Sequence, residues 1–71
     1  MEPVAQFAAN VRQLRSERGL TQEALAERAD LQLSYVAKIE TSQRQPGVLV
    51  IAKLARGLDV DPGELFENVD P

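Results

Sequence analysis

The stretch that most constrains this chain is TQEALAERADLQLSYVAKI, residues Thr21 to Ile39. Its apolar residues fall at helical spacing in two short runs. Leu25, Ala26 and Ala29 lie at i, i+1 and i+4 on one face, and Val36 and Ile39 form the inward stripe of a second segment. Asp30 sits between the runs, at a corner that needs a residue tolerant of positive φ; Asp is among the few non-glycine types that visit this region. Ala24, Ala26 and Ala29 are small enough for two helices to approach closely. The stretch therefore predicts a helix, a tight turn and a second helix over about residues 21–41, the arrangement in which the second helix is offered to the DNA major groove.

The rest of the chain supplies the helices that such a corner must pack against. Phe7, Val11 and Leu14 recur at i, i+4 and i+7, predicting a first helix over about Val4 to Arg18, with Pro3 at its start and Gly19 as its closing glycine. Thr21 caps a second helix, about Gln22 to Ala29. A third runs from about Leu33 to Thr41, with Gln32 in its N-cap position. Ser42 to Gly47 is polar, without periodicity, and ends in Pro-Gly, so it reads as a loop. A fourth helix covers about Val48 to Gly57, with Val48, Ile51, Leu54 and Ala55 inward and Leu58 closing the stripe. Asp61-Pro62 opens a short fifth helix through about Glu67, held down by Leu65 and Phe66. The expectation is a compact all-α bundle of five helices forming one domain over residues 1–71.

Composition removes several classes of function. With no cysteine and no histidine, disulfides, Cys/His metal sites and His- or Cys-based catalysis are excluded. There is no glycine-rich phosphate loop, and Asp61 and Glu64 read as helix-cap chemistry rather than a catalytic carboxylate pair. The chain is thus expected to be no enzyme and to need neither metal nor cofactor. No apolar run approaches the roughly 18 residues of a membrane span and no signal layout opens the chain, so a cytoplasmic location is expected. The net charge of −3 argues at first sight against nucleic acid. Its distribution answers this. All eight Lys and Arg precede residue 58, facing six acids there, whereas Leu58 onward carries five acids and no base. The part containing the third helix is mildly basic, so the electrostatic share of DNA affinity is expected to be modest.

On a helical wheel of about 100° per residue centred on Val36, Ser34 and Lys38 fall nearly opposite the core, with Thr41 next and Tyr35 and Ala37 flanking. Gln32 and Leu33 stand at the leading end, which enters the groove in this motif. Lys38 suits guanine O6 and N7, Ser34 donates or accepts, and Leu33, Ala37 or the Tyr35 ring suits a thymine methyl. An outward Ser, Lys and Thr on any surface helix is ordinarily just a solvated face; the surrounding pattern tips the balance toward DNA.

That pattern is LRSERGLTQEALAERA, then SYVAKIE, then Pro46, then IAKLARGLDVDPGELF. From Leu14 to Phe66 it resembles, without a gap, the lambda-repressor-like (XRE-type) helix-turn-helix domains of phage repressors and restriction–modification controllers. The resemblance implies base reading by Leu33, Ser34, Ala37 and Lys38, and a phosphate grip by Gln22. It also implies phosphate contacts from Gln43 and Arg44, and a structural ion pair between Arg15 and Glu40. Two departures stand out: Asp30 replaces the usual turn glycine, and Thr41-Ser42-Gln43 lacks the usual glycine and first basic residue. On the fourth helix Leu49 points away from the core and Val50 lies well off it, where the family carries polar residues. With Phe66 and Val69 they form a candidate homodimer contact, the plain alternative being scattered surface hydrophobes.

The leading expectation is a bacterial or phage regulator, nucleoid-associated, that binds double-stranded operator DNA as a homodimer on two-fold symmetric half-sites. It would be controlled by its own concentration. RNA polymerase is a further candidate partner through Glu23 or Glu27, where a solvated face is the plainer account. The competing expectation is a protein-binding adaptor, or an antitoxin-type partner-binding protein, that keeps the fold without reading DNA.

Overall fold

The computed structural model describes residues 2–71. Four α-helices and one 3-10 turn follow one another, and no strand occurs among the described residues: α1 (Pro3–Glu17), α2 (Gln22–Ala29), α3 (Leu33–Glu40), α4 (Val48–Leu58) and the 3-10 segment Pro62–Phe66. The first four elements are those expected from periodicity, with ends shifted by a residue. The fifth is a 3-10 turn of five residues rather than an α-helix. A segment this short gains little from α-helical bonds, and 3-10 geometry is the common form of such pieces.

The starts of α1 and α2 and the ends of all four helices have local causes. The Glu2 side chain accepts from the amides of Val4 and Ala5 at 2.9 and 3.1 Å, capping α1 one residue ahead of Pro3. Thr21 Oγ1 accepts from Ala24 N at 3.0 Å and starts α2. At the other ends the chain turns through a left-handed residue: Gly19 (φ 66°), Asp30 (φ 57°), Ser42 (φ 65°) and Asp59 (φ 57°). The following amides fold back, Leu20 N onto Arg15 O, Leu31 N onto Ala26 O, Gln43 N onto Lys38 O and Val60 N onto Ala55 O. This is the paired bonding that satisfies the last carbonyls of a helix. Asp30 thus does take the conformation that glycine adopts more easily.

The core is built from Phe7, Val11, Leu25, Ala29, Val36, Ile39, Leu54, Leu58 and Leu65, all buried. α2 packs on α3 and α4, while α1 packs on α3 and the 3-10 segment. Two expectations for α4 are corrected. Val48, expected inward, is 85% exposed; as the first residue of α4 it has the right wheel angle but lies beyond the packed part of the helix. Val50, expected well off the core, is half-buried and packs against it, because the apolar stripe of α4 is broad enough to include it beside Ile51 and Leu54.

Gly57 sets the distance between α2 and α4. It is buried, and a Cβ there would stand 3.0 Å from Ala29 Cβ and 3.1 Å from Ala29 N. The Arg28 Nε donates to the Gly57 carbonyl at 2.8 Å across the same seam. Gly57→Ala is therefore expected to destabilise the domain by about 1–3 kcal/mol, the usual cost of overpacking, despite alanine's better helix propensity. Chemical denaturation followed by circular dichroism checks this, and an unchanged midpoint would refute it.

Candidate nucleic-acid interface

α3 has two chemically different faces. Val36, Ile39 and Glu40 are buried, whereas Leu33, Ser34, Lys38 and Thr41 are exposed, with Gln32 exposed just ahead of them. Tyr35 and Ala37 are half-buried, and Tyr35 leans on the core. The exposed residues thus lie on one side of the helix, as the 3.6-residue repeat requires. Gln32 holds the N-cap position without a side-chain bond to the helix, which leaves its amide free.

Behind this face stands a charged network. Glu40 is only 1% exposed. Arg15 grips it with two bonds, Nε to Oε2 at 2.7 Å and Nη2 to Oε1 at 3.1 Å. The Gln22 amide donates to Oε1 at 2.9 Å. Arg15 Nη1 also donates to the Leu20 carbonyl at 2.7 Å, and Arg12 donates to the backbone carbonyl of Glu40. A buried carboxylate is costly unless its oxygens are satisfied. Here Arg15 from α1 and Gln22, the first residue of α2, satisfy it, and Arg15 also holds the α1–α2 turn, so the network joins α1 and α2 around the end of α3. Gln22 is thus tied to Glu40 through one amide hydrogen, leaving its second N–H and its carbonyl for another partner.

The loop after α3 is tied down as well. Thr41 Oγ1 donates to the Ala37 carbonyl at 3.0 Å, and the Gln43 amide donates to Thr41 Oγ1 at 2.8 Å. Arg44 is exposed next to it. The loop therefore presents one fixed amide and one extended cation.

The residues read as a self-association patch separate into two kinds. Leu49 is 69% and Phe66 44% exposed, and exposed Val48 joins them. Val50 and Val69 are half-buried against the core. Phe66 rests on Phe7, with ring centroids 5.2 Å apart and planes tilted by 53°. Beside it lies a shallow apolar hollow of about 190 Å³ bounded by Pro3, Val4, Pro46 and Ile51.

Three structural residues carry no sequence expectation. Asn10 is buried, and its amide donates to the carbonyls of Leu65 and Glu67, both at 2.8 Å, while its oxygen accepts from Gln6 at 2.9 Å. Arg12 and Gly57 are the others. Asn10 had a readable signal, a polar residue between Phe7 and Val11 on an apolar stripe; Arg12 had none.

Residues 11–65 match the family model described as helix-turn-helix. The chain belongs to the helix-turn-helix family. As a member of the XRE-type branch of that family, this helix-turn-helix protein is a DNA-binding regulator by class. It is 31% identical to the control protein C.MunI of a Mycoplasma species over 65 residues, 90% of this chain and 88% of the relative. It is 48% identical over 52 residues to the HTH-type transcriptional regulator PrpR of Mycobacterium tuberculosis; those residues are 73% of this chain but only 11% of that much longer protein. Among solved structures it superposes on the restriction-modification controller protein C.AhdI from Aeromonas hydrophila with a TM-score of 0.87 and 43% identity, covering 89% of this helix-turn-helix protein and 96% of the controller. No helix among its described residues is long and apolar enough to cross a membrane.

Proposed function

We propose that this helix-turn-helix protein is a sequence-specific transcriptional regulator of the restriction–modification controller or small phage-repressor kind, acting in the cytoplasm as a homodimer on two-fold symmetric operator DNA. The observation that carries this reading is the division of α3. Its inner face is bound to α1 and α2 through Glu40, and its outer face offers Gln32, Leu33, Ser34 and Lys38 with little else to do.

In this reading each subunit lays α3 in a major groove, with the two grooves about 34 Å apart. Lys38 donates to guanine O6 and N7, Ser34 bonds a base edge, and Ala37 and Tyr35 line the approach. Thr41 and Gln43 hold the loop so that Arg44 meets a phosphate, and the free N–H of Gln22 meets another. Val48, Leu49 and Phe66 supply the apolar surface for the second copy, with Val50 and Val69 as its floor. The modest basic surplus favours two linked half-sites over one.

Selection from random DNA duplexes by the purified chain, repeated across a salt series, tests the proposal. A two-fold symmetric consensus whose affinity falls steeply with salt is the expected result. If no sequence is enriched at any salt, the regulator reading fails and a protein-binding adaptor takes its place.

A further inference from the structure

Among the described residues four large hydrophobic side chains are exposed: Leu33, Val48, Leu49 and Phe66. The last three lie on α4 and the C-terminal segment and are taken up by the proposed self-association. Leu33 lies on a different element, the first turn of α3, and is 44% exposed. It is not among the residues that pack against the core, so neither folding nor self-association accounts for an apolar side chain there.

Its neighbours narrow what it meets. The hydroxyl of Thr41 is engaged with Ala37 O and Gln43, so Gln32 at the N-cap, Ser34 and Lys38 are the polar readers left on the outer face of α3. Neither Asn, Gln nor Arg occurs within α3, so the one bidentate reader of adenine is Gln32 at its N-cap, and the strongest reader of guanine is missing from the helix. In the major groove the apolar feature that distinguishes one base from another is the 5-methyl group of thymine. A leucine set beside Ser34, five residues ahead of Lys38, is suited to that group and to no other base edge.

We propose that Leu33 reads a pyrimidine 5-methyl group, so that the operator of this protein carries an essential thymine in each half-site, recognised through its methyl rather than its hydrogen-bonding edge. The proposal rests on the operator-binding reading. The C5 methyl of a methylated cytosine presents the same apolar group, so operator recognition through Leu33 is sensitive to base methylation at that position.

The test uses the consensus duplex enriched from random DNA and replaces each thymine in turn by deoxyuridine, in both half-sites together. Removing one buried methyl is expected to weaken binding about fourfold per half-site and about fifteenfold for the symmetric pair, at one position only. Leu33→Ala, checked for parental helicity by circular dichroism, should bind more weakly and no longer distinguish thymine from deoxyuridine there. Exchanging that pair for C·G should weaken binding, and methylating the cytosine at C5 should restore part of it. Insensitivity to deoxyuridine at every position overturns the proposal, as does equal sensitivity in the parent and in Leu33→Ala. Failure to enrich any consensus would instead sink the operator-binding reading itself, so the two failures are distinct.

Discussion

Replacing Arg15 by alanine is expected to remove about 3–5 kcal/mol of stability, the usual cost of stranding one charge of a buried pair. The change leaves the Glu40 carboxylate, 1% exposed, with the Gln22 amide as its sole side-chain donor. It also frees the Leu20 carbonyl that Arg15 Nη1 holds at the α1–α2 turn. At roughly 0.05–0.15 kcal/mol per residue, a chain of 71 residues has about 4–11 kcal/mol in total, so the variant should lose a large fraction of its stability and melt at a much lower temperature. Glu40→Gln keeps the size and most acceptor capacity and is expected to lose less. Converting both members to well-packed apolar residues, Arg15→Met with Glu40→Leu, should recover much of the loss, because the cost lies in the unpaired charge rather than in the absent attraction. Thermal and urea melts of the four proteins decide this. A single Arg15→Ala variant within about 1 kcal/mol of the parent would mean that water reaches Glu40 and the burial argument fails.

The second large effect is on recognition and leaves the fold untouched. Lys38 is exposed on the outer face of α3, so Lys38→Ala should melt like the parent. A bidentate contact to guanine contributes about 1–3 kcal/mol of discrimination. A two-fold symmetric complex contains that contact twice, so the loss at the consensus operator should reach about 2–6 kcal/mol if the two half-sites act independently. Preference at one base pair of each half-site should relax with it. Arg44→Ala serves as the contrast: a phosphate contact carries no sequence information, so its loss should weaken consensus and scrambled duplexes alike and lower the salt slope by about 1 per contact. Fluorescence anisotropy with both duplexes separates the outcomes. If Lys38→Ala weakens them equally, Lys38 is a backbone contact and its assignment to a base is wrong.

Much of the fold was legible because its signals are local. Gly19, Thr21 and Asp61-Pro62 mark helix ends within a few residues, and the wheel centred on Val36 separated buried Ile39 from exposed Ser34 and Lys38. What the wheel missed depended on what stands opposite. Val48 and Ile51 share a face by angle, yet Val48 is exposed because it opens the helix. Val50 is off-centre by angle, yet it is half-buried because neighbouring segments reach it. Bonds made over long separations were hidden for the same reason. Asn10 finds its partners 55 and 57 residues away, and Arg28 meets Gly57 29 residues on; no local pattern encodes such pairings. Gln22 shows a third case. The resemblance supplied a phosphate role, and only the three-dimensional arrangement reveals that the same amide also holds Glu40.

The separation of the two faces of α3 bears on how such a protein diversifies. The helix is fixed in place by the packing of Val36, Ile39 and half-buried Tyr35 and by the bonds to the Glu40 carboxylate and carbonyl. The side chains at positions 33, 34 and 38 take no part in that scaffold. On the operator-binding proposal, changes at these three sites are expected to alter which operator is chosen while the chain goes on folding as before. On that proposal a lineage carrying this domain would have room to acquire new regulatory targets by one or two substitutions, with intermediates that remain intact proteins throughout.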